Sequence, residues 1–393
     1  MARILMTWEL GAGRGHLMPM RAVALGLRAA GHHVELAVRH PADAKAFLEP
    51  VELPFHPAPI PQPRRVAVPL ASYPQILERL RFHEPALLKT RLAAWHKLFD
   101  QVQPDVVICD HSPTTLLAAR ARGLKSIVTG TGFFVPPDVS PLPDLRPWQP
   151  SDPQALARTE AGVLAGMNEA LKKFGGQPLT RLGELFAADG QALCTLRELD
   201  NYAALREVEY WGPVPTSVAA APEWPAGDGK RIYAYLRHFE TLPALLESLR
   251  DSGQPTLIYM PQQPRDIMSQ FEGGNLRFSP VPLDITMVAA KCDLAILHGG
   301  HGVTAAMLLA GRPLLLLPLH LEMLLTARAV AQLGAGLAAP QLKPAGMHNK
   351  LMRLLNEPEF GDAAKQFATT YATLNTQDLP ARFAALVERV VGN

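Results

Sequence analysis

The chain has 393 residues, of which 48% are hydrophobic and 19% charged, a composition that supports the cores of two soluble domains rather than one. Its 38 basic and 36 acidic residues give a net charge of +2 without any dense basic run, which argues against a nucleic-acid or anionic-membrane partner. The cysteines Cys109, Cys194 and Cys292 form no CxxC pair, so we expect buried, reduced thiols in a cytoplasmic protein and no metal site.

Two apolar regions are too interrupted to act as export or membrane segments. Glu9 breaks the N-terminal apolar stretch, and Gly311 and Pro313 break Val303–Leu321. A spanning helix needs about 20 predominantly apolar residues in a row. The sequence therefore predicts no signal peptide and no integral membrane segment.

The first elements alternate between strand and helix. Arg3–Thr7 is predicted as a buried strand, and a glycine-rich turn follows it. Apolar residues then recur at helical spacing up to Leu27, Gly31 closes that helix, and His33–Val38 forms the next strand. This order is typical of a parallel α/β sheet.

The following segment begins with a proline-dense stretch, residues 50–74, which predicts a long excursion without regular structure. An amphipathic helix is expected over Ile76–Val102. Asp105–Cys109 and Lys125–Thr129 are predicted strands on either side of a helix over Pro113–Arg122.

The segment Trp211–Gly229 has the proline, alanine and glycine content of an interdomain linker. A second set of strands with helices between them follows, and these strands are expected at Arg231–Leu236, Thr256–Tyr259, Leu276–Phe278, Leu294–Leu297 and Pro313–Leu317. Alternation of strands and helices on both sides of the linker predicts two Rossmann-like domains facing a central cleft.

The turn after the first strand contains Gly11, Gly13 and His16. The two glycines match the dinucleotide-binding fingerprint, but a histidine at its third glycine position disfavours an NAD site. A histidine at the mouth of a strand–helix turn projects into the cleft, where a general base acts. The alternative interpretation is a polar residue at a helix start.

Asp110 follows a second parallel strand, and ligands bind at the carboxyl ends of strands in such sheets. A carboxylate beside His16 would orient the imidazole and stabilise the imidazolium formed when it takes a proton. The alternative is that Asp110 caps the helix that follows, and the two roles are compatible. The neighbouring His111 is the second candidate for this role.

The clearest signal in the second half is a tight loop of glycines and histidines between the strand Leu294–Leu297 and the helix Val303–Ala310. Small residues let the backbone approach an anion, and the N–H groups of a helix start point toward it. His298 would add a hydrogen bond to a phosphate oxygen. The alternative is an ordinary tight turn.

Two further residues are expected at the same edge of the second sheet. Glu322 follows the next strand and would accept hydrogen bonds from sugar hydroxyls, unless it is a solvated acid favoured by the helix dipole. Arg237 ends the first strand of the second domain and places positive charge where a diphosphate would lie.

In sequence order, these residues resemble the family 1 UDP-glycosyltransferases, in an uncharacterised bacterial branch. The similar motifs are Gly13-x-Gly15-His16-x-x-Pro19, Trp211-Gly212-Pro213, His298-Gly-Gly-x-Gly, Leu309-Ala-Gly-Arg-Pro313, Pro318-x-x-x-Glu322 and Leu333-Gly-Ala-Gly336. The resemblance implies the GT-B fold, with an acceptor domain over residues 1–212, a linker over 213–229, a donor domain over 230–375 and a C-terminal helix over 376–393 that braces the first domain.

The resemblance also implies an inverting transfer that uses neither a metal nor a cofactor. His16, oriented by Asp110, would deprotonate the acceptor hydroxyl, which attacks the anomeric carbon opposite the diphosphate. The helix start would stabilise the leaving diphosphate. The donor-binding residues are then Arg237, His298, Gly299, Gly300, Gly302, Val303, Thr304 and Glu322.

Three positions depart from the family pattern. Val303 replaces a hydroxyl residue that would contact phosphate, so only Thr304 supplies one. Ala306 replaces the ribose-binding glutamate, which leaves a dTDP-sugar as an alternative to a UDP-sugar. Glu322-Met323 replaces an Asp-Gln pair, and methionine cannot donate to a sugar hydroxyl, which favours a less hydroxylated sugar such as a 6-deoxyhexose.

For the small-molecule acceptor the sequence offers Phe133, Phe134 and Trp148 as candidates for an apolar pocket, or equally as plain packing. Two other functions compete with transfer. One is a nucleotide-sugar epimerase of the same fold, which needs no separate acceptor. The other is a catalytically silent nucleotide-binding protein, although retention of His16 and Asp110 argues against it.

Overall fold

The computed structural model of the protein describes residues 1–11, 13–60, 70–149, 151–216, 220–262 and 265–392. They form two compact units, one comprising Met1–Pro215 with Asn375–Asn393 and the other Thr216–Leu374. Residues 61–69 of the proline-dense excursion and residues 217–219 of the predicted linker lie outside the described part of the chain.

Each unit contains a parallel sheet, six-stranded within the described residues. The strands of the first are β1 (Arg3–Trp8), β2 (His33–Val38), β3 (Phe55–Pro57), β4 (Val106–Asp110), β5 (Lys125–Gly130) and β6 (Gly190–Leu193). Those of the second are β7 (Ile232–Tyr235), β8 (Thr256–Tyr259), β9 (Leu276–Ser279), β10 (Leu294–Leu297), β11 (Leu314–Leu316) and β12 (Gly336–Ala338). The predicted strands are confirmed to within two residues at either end, and β3, β6 and β12 were not predicted.

Helices connect the strands and cover the sheets. They are α1 (Arg14–Ala29), α2 (Pro41–Leu48), α3 (Tyr73–Arg79), α4 (Pro85–Val102), α5 (Pro113–Arg122), α6 (Pro153–Lys172), α7 (Leu242–Asp251), α8 (Arg265–Phe271), α9 (Ile285–Lys291), α10 (His301–Leu309), α11 (Leu321–Gln332), α12 (Pro344–Asn356), α13 (Glu359–Thr370) and α14 (Leu379–Gly392). Because both faces of a parallel sheet are covered, its strands are largely buried, and all five residues of β4, including the polar Asp110, are buried.

The prediction of one helix over Ile76–Val102 is wrong, because the structure has two. Helix α3 ends at Arg79, and Arg81 has a left-handed φ of 63°. Helix α4 begins at Pro85, whose ring lacks an N–H donor and disfavours helical geometry at the residue before it. The periodicity of apolar residues continues across this break, so the pattern alone conceals it.

In each sheet, the chain adds strands first on one side of the initial strand and then on its other side. The strand order of the first is β3-β2-β1-β4-β5-β6, so the chain leaves β1 on one side and returns to build β4 on the other. The second order is β12-β11-β10-β7-β8-β9, with the same reversal between β7 and β10. Ligands in open α/β sheets bind at the carboxyl ends of the strands that flank such a switch point.

The last helix, α14, packs on α1 within the first unit. Phe383 and Val387 are buried in the same apolar cluster as Ala24 and Leu27 of α1. At Gly26 the two helices approach so closely that an added Cβ would lie 2.1 Å from the Cβ of Pro380. This glycine therefore permits the packing of α14.

Two further features of the chain are its cysteines and the length of its apolar helices. All three cysteines are free and buried, as predicted. Among the described residues, no helix combines the length and the apolar character needed to cross a membrane.

The close approach of α1 and α14 gives a stability prediction. Gly26→Ala should lower the free energy of unfolding by about 1–2 kcal/mol, because overpacking outweighs the gain of about 1 kcal/mol that alanine brings to a helix. Gly162→Ala in α6 is the matched control: its Cβ meets nothing within 4 Å, so only the helical gain remains. Denaturant unfolding measures both variants, and equal stabilisation by the two would contradict this packing.

Candidate active site

The structure brings His16 and Asp110 into contact at the switch point of the first sheet. His16 lies in the first turn of α1, Asp110 is the last residue of β4, and the His16 Nδ1 is 3.0 Å from the Asp110 Oδ2. The side chains are 8% and 10% exposed. Because an ionised carboxylate only accepts hydrogen bonds, Nδ1 is the donor in this contact, and Nε2 carries a lone pair when the ring is neutral.

Two aromatic rings contact the His16 imidazole. The indole of Trp8 stacks on it at 5.3 Å between centroids, with 19° between the planes, and Phe134 lies 4.8 Å away. Trp8 is itself fixed, since it pairs with Asp110 in the sheet and its Nε1 donates to the carbonyl of Leu10 at 2.6 Å. The orientation of His16 thus depends on packing as well as on Asp110.

Glycines occupy two positions where a side chain would collide with this pair. A Cβ on Gly11, whose φ is 90°, would lie 2.2 Å from the His16 Nε2. A Cβ on Gly130, at the end of β5, would lie 3.0 Å from the Asp110 Oδ1 and 2.9 Å from Phe134. Because position 11 is a glycine, no side chain of that residue collides with the His16 Nε2. Because position 130 is a glycine, the Asp110 carboxylate fits beside the end of β5.

Glu9 is a structural residue of this site that the sequence did not identify. Its carboxylate is fully buried and accepts hydrogen bonds from the Thr115 N–H at 2.6 Å, the Thr115 hydroxyl at 2.7 Å and the Thr114 N–H at 3.3 Å. Burial raises the pKa of Glu9, and these hydrogen bonds oppose that rise. The turn that carries His16 is thereby attached to the start of α5.

The contacts of Glu9 bear on the helix-cap role considered for Asp110. The α5 amides at Thr114 and Thr115 bond Glu9, and the N-cap residue Ser112 makes no side-chain capping bond. The carboxylate of Asp110 contacts His16 instead. In this structure Asp110 is paired with the imidazole, whereas a different acid satisfies the helix start.

A buried ion pair holds the segment that carries Phe134. The side chain of Asp200 has no exposed surface and accepts from the Arg206 Nε at 2.8 Å and Nη2 at 2.6 Å, while Arg206 also donates to the carbonyl of Val135. The turn at Gly132 fits against this pair, since a Cβ there would lie 1.9 Å from the Asp200 Oδ1. These residues fix the ring that packs on His16.

In the second unit, His298 joins the ends of three neighbouring strands. Its Nδ1 donates to the carbonyl of Leu317, after β11, at 2.7 Å, and its Nε2 accepts from the N–H of Arg237, after β7, at 2.8 Å. This pattern requires the neutral ring, and burial lowers the pKa of His298 accordingly. Both nitrogens are engaged, so the ring has no N–H left for the phosphate oxygen that we expected it to bind.

The loop after His298 leads directly into α10. Gly299 has a φ of 89°, and a Cβ there would lie 2.7 Å from the Met323 carbonyl oxygen. Gly300 is the N-cap of α10 without a side-chain cap, and around both Gly300 and Gly302 there is nothing within 4 Å of an added Cβ. The first-turn amides of a helix have no partner inside it, so an open, uncapped start suits an anion.

The other predicted donor residues lie at the same edge but differ in exposure. Arg237 is exposed, Glu322 is half-buried in the first turn of α11, and Val303 is half-buried. Thr304 is fully buried, and within the described residues its hydroxyl has no hydrogen-bond partner. Thr304 is thus placed in the core rather than at the exposed start of α10.

The buried pair gives a prediction for stability. Arg206→Ala should lower the free energy of unfolding by about 3–5 kcal/mol, because it leaves the Asp200 carboxylate buried without its positively charged partner. The control is Arg181→Ala, which removes a similar two-bond pair with Asp138 whose side chains are 49% and 42% exposed and costs about 0–1 kcal/mol. Equal losses in denaturant unfolding would show that burial of the Asp200 pair has no energetic consequence.

Comparison with known proteins relates this geometry to a family. The model for the erythromycin biosynthesis protein CIII-like C-terminal domain matches residues 244–386. The chain is 36% identical to the elloramycin glycosyltransferase of Streptomyces olivaceus over 110 residues, which is 28% of this chain and 26% of that protein. It is 24% identical to the PGL/p-HBAD biosynthesis glycosyltransferase of Mycobacterium tuberculosis over 83% of this chain and 79% of that protein.

Solved structures share the fold along the whole chain. The glycosyltransferase VinC, solved in complex with dTDP, has a TM-score of 0.71 and 20% identity over 99% of both chains. The spinosyn rhamnosyltransferase SpnG has a TM-score of 0.69 and 16% identity over the full length of both. The predicted fold class is confirmed: the chain has the GT-B fold, and the family match and the relatives show that it is similar to glycosyltransferases of that fold.

Proposed function

We propose that the protein transfers a sugar from a nucleoside diphosphate donor to a hydroxyl group of a small acceptor, with inversion at the anomeric carbon and His16 as general base. The contact between His16 and Asp110 carries this proposal. It lies at a switch point of the sheet, is almost completely buried, and directs the second imidazole nitrogen toward a glycine.

The proton transfer follows from the hydrogen bonding of His16. Asp110 accepts the Nδ1–H, so the Nε2 lone pair takes the proton of the acceptor hydroxyl while the oxygen attacks the anomeric carbon opposite the diphosphate. The imidazolium that forms remains beside the Asp110 carboxylate, which stabilises its charge. Gly11 matters because any side chain there would occupy the space beside Nε2.

The diphosphate is held by the start of α10 in the second unit. Backbone N–H groups and the helix dipole favour the negative charge that grows as the sugar leaves, and Arg237 adds a positive side chain at the same edge of the sheet. We assign to His298 the role of holding the loop in position rather than of binding the phosphate, because both of its ring nitrogens already form hydrogen bonds.

For the donor we favour dTDP over UDP and a deoxygenated sugar over a fully hydroxylated one. By the resemblance to family 1, Ala306 and Met323 stand where that family has residues that bind ribose and sugar hydroxyls. VinC has been solved in complex with dTDP, and SpnG in complex with thymidine diphosphate. Similarity to these two structures supports a dTDP-sugar as the donor of this protein.

The donor site predicts a thermal response to the nucleotide alone. Addition of dTDP should raise the melting temperature of the wild type, because a ligand that binds only the folded state stabilises it. Gly302→Glu should abolish this rise, since a carboxylate in the open space at the α10 start repels the diphosphate. Gly346→Glu in the first turn of α12 is the matched control and should keep the response. A response unchanged in Gly302→Glu would place the nucleotide elsewhere.

The catalytic base predicts a loss of turnover without a loss of donor binding. His16→Ala should lower the release of dTDP in the presence of acceptor by about 10²- to 10⁴-fold while the dTDP thermal shift persists. The control His33→Ala removes a histidine that also contacts a carboxylate, Glu35 at 3.1 Å, but is 52% exposed, and it should remain active. Near wild-type turnover in His16→Ala would place the base elsewhere, and donor consumption that needs no acceptor would favour an epimerase or a hydrolase.

A further inference from the structure

His111 combines two unfavourable features next to the proposed base. Its φ is 45°, in the left-handed region, and the residue is only 6% exposed. Neither ring nitrogen has a hydrogen-bond partner within the described part of the chain. Backbone strain and unpaired buried polar atoms both cost free energy, and they persist mainly where function requires them.

The surroundings of His111 are aromatic and include a second unpaired polar atom. Its ring stacks on Phe134 at 4.3 Å with 21° between the planes, and it lies 6.1 Å from His16 and 6.1 Å from Tyr73. Tyr73 is fully buried, and its hydroxyl also has no partner among the described residues. Apolar walls with a few convergent polar atoms are the usual lining of a small-molecule site.

His111 is unsuited to be the base itself. Burial lowers the pKa of His111 well below the ordinary value, and its neighbours His16 and Arg39 lower it further. The ring is therefore neutral and offers one N–H donor and one acceptor nitrogen. A hydroxyl group, which also donates and accepts, is its natural partner.

We propose that His111 binds a second oxygen of the acceptor, so that the preferred acceptors carry two oxygens on adjacent or nearly adjacent carbons, as in a catechol. This rests on the proposed function, in which His16 receives the proton of the reacting hydroxyl. The two imidazole centroids are 6.1 Å apart, and both rings pack on Phe134. Hydrogen bonds of about 3 Å from each ring then reach two oxygens of one small molecule.

Matched acceptors test the assignment. We would measure kcat/KM with dTDP-sugar donors for three pairs, each a vicinal aromatic diol and its monohydroxy analogue, on benzene, naphthalene and anthraquinone rings. The wild type should prefer the diol by about tenfold in at least one pair, because the analogue leaves His111 unpaired. His111→Phe keeps an aromatic ring at this position but removes the polar atoms, so its preference for the diol should fall to about one.

Two further variants control for folding and for unspecific effects. His111→Asn tolerates a left-handed φ and keeps a donor and an acceptor, so it should preserve part of the preference. His96→Phe replaces another histidine of the first unit that packs on a phenylalanine, Phe174 at 4.8 Å, and should leave the preference unchanged.

The outcomes separate this inference from the function on which it depends. Equal kcat/KM for diol and analogue in every pair of the wild type, or a diol preference that survives in His111→Phe, would overturn the role of His111 while dTDP still raises the melting temperature. Absence of that thermal response would instead overturn the donor site itself.

Discussion

The proposed chemistry depends on one short contact, that between the His16 Nδ1 and the Asp110 carboxylate at 3.0 Å. It exists because β1 and β4 are neighbours although almost a hundred residues separate them in sequence, and because their register sets Trp8 opposite Asp110. The carboxyl ends of the two strands then deliver an imidazole and a carboxylate to the same place. Glu9 on the turn and the Asp200–Arg206 pair under Phe134 hold the surrounding backbone, so the geometry of the contact is set before any ligand binds.

The second unit uses a histidine at the corresponding switch point in a different way. His298 bonds the Leu317 carbonyl and the Arg237 amide, so its two nitrogens connect the ends of β7, β10 and β11. The Nδ1 of His16, in contrast, contacts a carboxylate, and its Nε2 lies beside a glycine. A carboxylate partner suits a ring that takes up a proton, whereas two backbone partners suit a ring that fixes the shape of a loop.

The sequence predicted the features that follow from local pattern. Apolar runs bounded by glycine located most strands, and the position of polar residues at strand ends placed His16 and Asp110 on one sheet edge. It did not predict the helix break before Pro85, because apolar periodicity continues through it. Glu9 and Gly130 were missed because their importance comes from long-range neighbours, Thr115 in one case and Asp110 in the other. The hydrogen-bond partners of His298 could not be predicted for the same reason. They are backbone groups at the ends of distant strands, and the sequence does not show which backbone groups lie beside a given side chain.

The tautomer of His16 is the most direct test of the central claim, because the base role requires the proton on Nδ1. Nitrogen-15 NMR of histidine-labelled protein at neutral pH, with the His16 signals assigned from their absence in His16→Gln, reports which ring nitrogen is protonated. The contact with Asp110 predicts a protonated Nδ1 and an unprotonated Nε2 in the wild type, with this preference lost in Asp110→Ala. A wild-type ring protonated at Nε2 alone, or a tautomer that does not respond to removal of the carboxylate, would contradict the role of His16 as the base.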